Sequence, residues 1–403
     1  MTAAQLEQKA LRLQAIIEEH TLQAHGMVPT LVRRDDYQLP TAEDYVGMEP
    51  HRHLQGKSEA ELGLPPMHVW RAWENTSADT AFYLGAASRK YRCTQDAADL
   101  AVARRTFRAL KHIYDIGAEF DEPGFLTKPY GGVASTQTSG DQLQCVTMGL
   151  EAFRDLADAD EAAIMDEMFV GFADYLIRHQ YRPKPGGYFA VTWGPWDWDN
   201  AGWGHVLIYV PVLLRAWQAT GESRYREQVD RLYHACRNDT RYTSERRYTF
   251  GCAHRMLYLP ALMMELEPER EAKWREIMTG EFRTISPGIL DDGTSYMSVA
   301  IDPDSGEVSP VKTAWGLAVR TGRYTIFGWG CVYTQHCLPS EDMVRVAKRI
   351  LENQDLDTFH FIMPADPDDE LPSNWRLEGE LLDHDSLVGW LVMYWEGRWR
   401  GYW

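Results

Sequence analysis

The sequence contains no apolar run long enough to cross a lipid bilayer, and it lacks the short motifs of several common enzyme classes. The phosphate loop GxxxxGK(S/T), the dinucleotide turn GxGxxG, the nucleophile elbow GxSxG and the zinc motif HExxH are all absent, so nothing supports an NTPase, dehydrogenase, serine hydrolase or zincin. Residues 1–20 carry charges in every turn, a pattern that is not typical of a signal peptide. We therefore expect a cytoplasmic protein, or a secreted or periplasmic one whose signal peptide has been removed.

Cysteine is scarce, and the six residues lie far apart, without a CxxC pair or the spacings that build zinc sites. Cys331, His336 and Cys337 are close in sequence, but their apolar setting favours packing in the core. His51 and His53 form an HRH motif in a polar segment, where histidines are usually solvated. The sequence therefore predicts neither a metal nor a cofactor.

Basic residues are outnumbered: 41 Lys and Arg stand against 59 Asp and Glu, which gives a net charge of −18. Nucleic acids and anionic membranes attract basic surfaces, so neither is an expected partner. A polyanionic substrate would need a local basic pocket. No Gly/Ser tract, Pro-rich spacer or long charge run marks a linker, and residues 1–403 are therefore predicted to form a single domain.

Apolar helical segments alternate with amphipathic ones, joined by short turns. Residues 79–92 are followed by the turn CTQD and by 97–115, where apolar residues recur at helical spacing. The more apolar first member of each pair is expected to form an inner layer. Similar pairs are 141–156 with 161–179, 205–218 with 222–237, 253–266 with 268–281, and 384–396 after a helix near 340–353.

The predicted inner helices begin near residues 79, 141, 205, 254, 312 and 384, at intervals of roughly sixty residues. This pattern predicts an all-α fold, an (α/α)6 or (α/α)7 toroid of helical hairpins, with the N-terminal helix at 3–23 leaving the number open. A helical solenoid is the alternative, although its repeats would be shorter and more constant. In a toroid the loops 24–72, 116–140, 181–204 and 284–311 would gather on one face and form the site.

Aromatic residues are concentrated in the segment TWGPWDWDNAGWGH, residues 192–205. Indole rings among Gly, Asp and Asn present flat apolar faces beside hydrogen-bonding groups, which is what a sugar requires, although they could also cap the ring of helices. We expect an oligo- or polysaccharide substrate. The candidate binding residues are Trp193, Trp196, Trp198, Trp203, Tyr130, Gln142 and Tyr248.

Polar motifs stand at the starts of predicted inner helices: WENTSADT at 73–80, TSGDQ at 138–142 and WGH at 203–205. Asp79 and Asp141 could be simple helix caps, but their recurrence at equivalent places favours a functional role. The segment ADTAFYLGAASRKYRCTQD and the Asp of TSGDQ resemble the two Asp-bearing inner helices of unsaturated glucuronyl hydrolases. That resemblance implies a toroid in which Asp79 and Asp141 act as acid and base.

The motifs ENT, GFLTKPYGG, SGDQ and GTSY resemble the α/α-toroid uronate lyases of the glucuronan and alginate type. A lyase must neutralise the uronate carboxylate, remove the C5 proton and protonate the departing oxygen. Candidates for neutralisation are Asn75, Arg255 and His254. Tyr296 is the candidate base and acid, and His205 would assist as a base or orient the sugar.

The lyase is the preferred prediction, because its motifs span more of the chain. A glycoside hydrolase that uses Asp79 and Asp141 is the alternative. A toroid that binds sugar without catalysis is the third possibility. The two enzymes differ in the residues they need, since hydrolysis requires paired carboxylates, whereas elimination requires a Tyr or His base.

Overall fold

The computed structural model describes residues 1–50, 54, 56–182, 202–239, 247–249, 255–302, 305, 307–312, 316–323 and 325–403. The chain divides into two compact units. The central unit comprises Leu22–Thr30 and Gly56–Asp239, and the terminal unit comprises Met1–Thr21, Leu31–Gln55 and Thr240–Trp403. None of the described helices is both long and apolar enough to traverse a membrane.

Helices dominate the described residues. In chain order they are α1 Ala3–Ile16, α2 Met67–Trp73, α3 Thr76–Thr94, α4 Ala97–Gly117, α5 Gly140–Phe153, α6 Ala159–Arg178, α7 Trp203–Thr220, α8 Ser223–Ala235, α9 Arg255–Leu266, α10 Glu271–Ile285, α11 Thr325–Tyr333, α12 Glu341–Asn353, α13 Ser373–Glu380 and α14 His384–Arg400.

The described strands are short, and all belong to the terminal unit. They are β1 Leu31–Val32, β2 Arg247–Thr249, β3 Ser295–Tyr296, β4 Ser298–Ile301, β5 Val308–Pro310, β6 Val319–Thr321, β7 Ile362–Pro364 and β8 Leu382–Asp383. They pair antiparallel in three small sheets, with the orders β1-β8, β2-β4-β5 and β3-β6-β7.

The helices predicted for the central unit are confirmed, and the hairpins α3–α4 and α7–α8 pack as predicted, whereas α6 packs mainly against α7 rather than against α5. Helices α3, α5 and α7 are the first members of their pairs, and α5 packs against both of the others. Their partners α4, α6 and α8 bury only an apolar stripe and leave a charged face exposed. The turns act as expected: Asp96 accepts a hydrogen bond from the Ala98 amide at the start of α4, and Asp158 forms a capping box with Glu161 at the start of α6.

One predicted inner helix in the terminal unit is misplaced. It was expected to begin near residue 312, but residues 319–321 form β6 and the helix α11 begins at Thr325. Val319 and Thr321 are buried, whereas Arg320 between them is partly exposed, and this period of two fits a strand between β3 and β7. The predicted N-terminal helix is also shorter than expected, because regular α-helix ends at Ile16 and a π-helical turn follows to Thr21.

Helices α3 and α5 approach closely because α5 has a glycine at the contact. A Cβ atom added to Gly149 would overlap the backbone carbonyl of Ala81 on α3. In the terminal unit, a Cβ on Gly389 of α14 would likewise overlap the Thr325 side chain at the start of α11. The close packing of α3 with α5, and of α11 with α14, therefore depends on the absence of a side chain at these two glycines.

Helix α1 is attached to the rest of the terminal unit through a buried lysine. Lys9 donates hydrogen bonds to the backbone oxygens of Leu351, at 3.0 Å, and Gln354, which lie at the C-terminal end of α12. Its ammonium group also lies 5.0 Å from the centre of the Trp390 ring. Burial lowers the pKa of Lys9 to about 8, although Asp355 opposes this shift.

We expect Gly149→Ala to destabilise the fold, because the new methyl group meets rigid backbone on α3 rather than a movable side chain. The free energy of unfolding should fall by about 3 kcal/mol, at the upper end for overpacking. Gly221→Ala is the control, since Gly221 ends α7 at a φ of +72° in open space and only backbone strain is added. Chemical denaturation measures both variants, and equal losses would contradict a special role for the α3–α5 contact.

Lys9 should make stability depend on pH. Its folded pKa of about 8 lies below the unfolded value of 10.5, so the unfolded chain holds the proton more tightly between these values. Stability should therefore rise with pH across that window, by about 2 kcal/mol from this group. The unfolding free energy of wild type relative to Lys9→Met should increase from pH ~8 to pH ~10. Lys111→Met removes a lysine that is only partly buried and should follow wild type, whereas parallel profiles for all three proteins would refute the assignment.

Candidate functional site

The N-terminal ends of α3 and α5 are joined by one side chain. Gln142 on α5 accepts a hydrogen bond from the backbone amide of Ala78 at 2.9 Å, and its own amide nitrogen donates to Asn75 Oδ1 at 2.9 Å. Gln142 is buried, so both bonds form away from water, where an unmade bond would be costly. Asn75 is itself held by a 2.6 Å bond from its backbone amide to Thr30 Oγ1.

Asp79 and Asp141 stand on either side of this bridge. The residue before Asp79 and the residue after Asp141 are the two partners in the bond between Ala78 and Gln142. Neither aspartate is a helix cap, since Asn75 and Ser139 occupy the N-cap positions of α3 and α5. Asp79 is fully buried, whereas Asp141 is partly exposed. The structure therefore brings the backbone positions of Asp79 and Asp141 near each other, and the two side chains differ in burial.

The segment GFLTKPYGG lies against the same end of α3. Ser77 Oγ donates to the backbone oxygen of Thr127 at 3.1 Å, and the amide of Lys128 donates to the backbone oxygen of Gln137 at 2.9 Å. Gly132, at a φ of +82°, brings the loop close to the Trp73 ring of α2. Three motifs that are separate in sequence, ENT, TKPYGG and SGDQ, thus meet in the central unit.

A charged cluster accompanies these motifs. Arg71 forms an ion pair with Glu74, and Lys128 Nζ lies 3.9 Å from Glu74 Oε1. Burial raises the pKa of Tyr130 well above its usual value, and the charge of Glu74 raises it further. Among the described residues the Tyr130 hydroxyl has no hydrogen-bond partner, an arrangement that typically costs about 1–3 kcal/mol.

The candidates at the start of α7 have contrasting surroundings. Trp203 is buried; its backbone amide donates to Asp239 Oδ2 at 2.8 Å, and its ring lies 5.9 Å from that of Tyr233. His205 is exposed, and its backbone amide bonds to Gly202. Trp203, which was predicted to bind sugar, therefore packs inside the central unit.

Tyr296 belongs to the terminal unit, in β3, where it is partly buried and pairs with Arg320 of β6. Arg320 also forms an ion pair with Asp292 and bonds to Thr294 Oγ1 at 3.0 Å. Burial opposes ionisation of Asp292, but hydrogen bonds from Thr294 and the charge of Arg320 together lower the pKa of its carboxyl group.

Several predicted residues lie outside the described part of the chain. For Arg255 and Tyr248 the structure describes only the backbone, in α9 and β2. His254, Trp193, Trp196 and Trp198 lie outside the described residues altogether. Within the described residues, no three His, Cys, Asp or Glu side chains are grouped so as to hold a metal ion.

Sequence analysis missed Arg71, Glu74 and Lys128 as site residues. Glu74 lies in the motif WENTSADT and Lys128 in the motif GFLTKPYGG. A charged residue within each motif is the signal that the sequence contains, but the pairing of Lys128 with Glu74 joins distant parts of the chain and has no local pattern.

We expect Gln142→Leu to weaken the site, because it leaves the Ala78 amide and Asn75 Oδ1 without their partner. The unfolding free energy should fall by roughly 2–4 kcal/mol, and any activity should fall with it. Gln144→Leu is the matched control on the same helix, since Gln144 is also buried but its Oε1 has no hydrogen-bond partner among the described residues. Thermal unfolding compares the two, and similar losses would show that the bridge adds nothing.

No protein-family model matches the sequence, and no curated protein is similar to it by sequence. Solved structures do match. An unsaturated glucuronyl hydrolase specific for heparin is 12% identical with a TM-score of 0.54, covering 99% of this chain and 96% of its own. The unsaturated glucuronyl hydrolase of Streptococcus agalactiae is 13% identical with a TM-score of 0.55, covering 100% and 93%. A sugar epimerase from a ruminal bacterium is 11% identical with a TM-score of 0.56, covering 100% and 99%. Likeness at these identities establishes the fold class, which is the all-α fold of the α/α toroids, as predicted.

Proposed function

We propose that the protein is a glycoside hydrolase that removes unsaturated uronyl residues from short saccharides, with Asp79 and Asp141 as its acid and base. The observation that supports this proposal is the Gln142 bridge, because Asp79 and Asp141 are the sequence neighbours of the two residues that its bond to Ala78 joins.

The chemistry requires two groups of opposite protonation. An unsaturated uronyl residue is an enol ether conjugated with its carboxylate, and cleavage of its glycosidic bond by water needs an acid to protonate the departing glycosidic oxygen and a base to accept a proton from the water. The water oxygen bonds to the carbon that loses its glycosidic partner. The released sugar then opens to a keto acid, and the ultraviolet absorbance of the double bond is lost.

The two aspartates suit these roles because their surroundings differ, and unequal surroundings are what separate an acid from a base in a carboxyl pair. Asp141 lies in the first turn of α5 and is partly exposed, so we assign it the role of the base that accepts a proton from the water. Asp79 is fully buried within α3, and we assign it the role of the acid that protonates the substrate. Asn75, one turn before Asp79, is positioned to orient the sugar.

The solved structures support this proposal only through their fold. Two of those compared are named unsaturated glucuronyl hydrolases, but a sugar epimerase shares the fold equally well, so the fold alone does not select the reaction. A pair of carboxyl groups suits hydrolysis, and the candidate pair Asp79 and Asp141 is what supports the hydrolase over the lyase, whose predicted base is Tyr296.

The experiment follows ultraviolet absorbance with two kinds of substrate. With pre-cut unsaturated uronyl oligosaccharides, we expect wild type to lower the absorbance. Asp79→Asn and Asp141→Asn should each reduce kcat by at least about 100-fold, the size expected for loss of an acid or base. Asp155→Asn is the control, because Asp155 is an exposed residue that pairs with Arg92.

Each of the other outcomes would indicate a different function for this protein. A rise in absorbance with glucuronan or alginate would establish a lyase and overturn the hydrolase. Binding of these saccharides without any change in absorbance or reducing ends would indicate the non-catalytic toroid. Because Asp141 is partly exposed, Asp141→Asn should fold even if Asp79→Asn does not. Full activity of folded Asp141→Asn would contradict the proposal that Asp79 and Asp141 act as acid and base.

A further inference from the structure

Because the chain has a large negative charge, an acidic substrate can bind only where cations lie close to it. At a net charge of −18 the protein repels anions at long range, so a uronate must be held by cations close to it. Arg71 and Lys128 of the central unit are such cations, and both lie against Glu74.

Arg71 and Lys128 differ in how closely they approach Glu74. Arg71 is in direct contact with Glu74, but the 3.9 Å between Lys128 Nζ and Glu74 Oε1 is longer than a hydrogen bond. The side chains of Arg71 and Lys128 are 9% and 3% exposed, whereas that of Glu74 is 15% exposed. Glu74 is therefore the member of the cluster that is nearest to solvent.

Tyr130 lies in the loop segment Tyr130–Gly132, which packs against α2, the helix that carries Arg71. Its backbone amide donates a 3.0 Å hydrogen bond to the backbone oxygen of Lys128. Tyr130 is only 3% exposed, and none of the described residues hydrogen bonds to its hydroxyl group. Buried hydroxyl groups normally have a partner, so this hydroxyl group is available to bind a ligand oxygen.

The cluster also adjoins the proposed acid and base. Glu74 precedes Asn75 in the chain, and the amide of Asp79 donates to the backbone oxygen of Asn75 at 2.8 Å, which is one helical turn. A helical turn rises by about 5.4 Å, which is within the length of one sugar residue.

We propose that Tyr130 and Lys128 bind the carboxylate of the uronic acid residue on which the enzyme acts. The Tyr130 hydroxyl donates a hydrogen bond to one carboxylate oxygen, and the Lys128 ammonium group balances the charge while Arg71 keeps Glu74 in place. This inference rests on the proposed function, and it restricts the substrate to saccharides whose bound residue has a free carboxylate.

The test measures binding without turnover. An unsaturated uronyl disaccharide and its methyl ester are titrated calorimetrically into protein carrying Asp141→Asn, alone and combined with Tyr130→Phe, Lys128→Met or the control Lys111→Met. We expect the parent to bind the acid more tightly than the ester. Tyr130→Phe should weaken binding of the acid by roughly 10- to 100-fold, as for one hydrogen bond to a charged group, and leave binding of the ester unchanged.

A structural role is separated from a binding role by thermal unfolding. Tyr130→Phe removes a hydroxyl that bonds to none of the described residues, so its Tm should equal or exceed that of the parent. Lys111 is a partly exposed residue that pairs with Asp115 rather than with the cluster, and its variant should bind both ligands as the parent does. If Lys128→Met does not fold, Tyr130→Phe still decides the question.

The two proposals fail in different ways. If wild type consumes the unsaturated disaccharide but Tyr130→Phe and Lys128→Met still prefer acid to ester as the parent does, the carboxylate subsite is wrong and the hydrolase stands. If no disaccharide is consumed while these variants lose the preference, the hydrolase is wrong and the subsite stands.

Discussion

The side-chain amide of Gln142 forms two hydrogen bonds with the N-terminal end of α3, one through its oxygen and one through its nitrogen. The arrangement of the candidate site depends on those two bonds. The Gln142 oxygen holds the Ala78 amide and the Gln142 nitrogen holds Asn75, so the first turn of α5 is fixed against the first turn of α3. Farther along the same helices, Gly149 lets the two backbones touch at Ala81. A glycine at one point and a buried amide at another leave little freedom for the helices to slide, and a pair of carboxyl groups needs that rigidity to keep its separation.

The loop that carries Tyr130 depends on the same end of α3. Its backbone is held by Ser77 and by bonds within the loop, from the Lys128 amide to Gln137 and from Thr127 Oγ1 to the backbone oxygen of Ser135 at 2.7 Å. These bonds satisfy buried polar groups that would otherwise oppose folding. Arg71 and Glu74 come from the adjoining segment of α2, so the cluster is positioned by the connection that also starts α3. The proposed carboxylate-binding residues and the proposed acid and base are therefore supported by the same end of α3.

Much of this fold could be predicted because helical periodicity is local: the helices of the central unit follow directly from apolar spacing and from caps such as Asp96 and Asp158. The prediction failed at β6, where a strand of three residues is defined by partners far away in sequence, β3 and β7. The candidate site shows the same contrast between local and distant signals. Asn75, Asp79, Asp141 and Gln142 could be selected as candidates because they lie in short motifs at helix starts, whereas the pairing of Lys128 with Glu74 is a tertiary contact with no local signature.

The acidity of the chain and its buried cations act over different distances. Charges on the surface repel an approaching polyanion, but at physiological salt that repulsion decays over about 8 Å. Lys128 is shielded from solvent, so its attraction for a carboxylate is screened far less, provided that the ligand reaches it. A polymer would bring many charges against the acidic surface in order to place one at Lys128, whereas a short saccharide would bring few. The charge distribution therefore favours a substrate that has already been cut, which is the kind of substrate that the paired aspartates are proposed to hydrolyse.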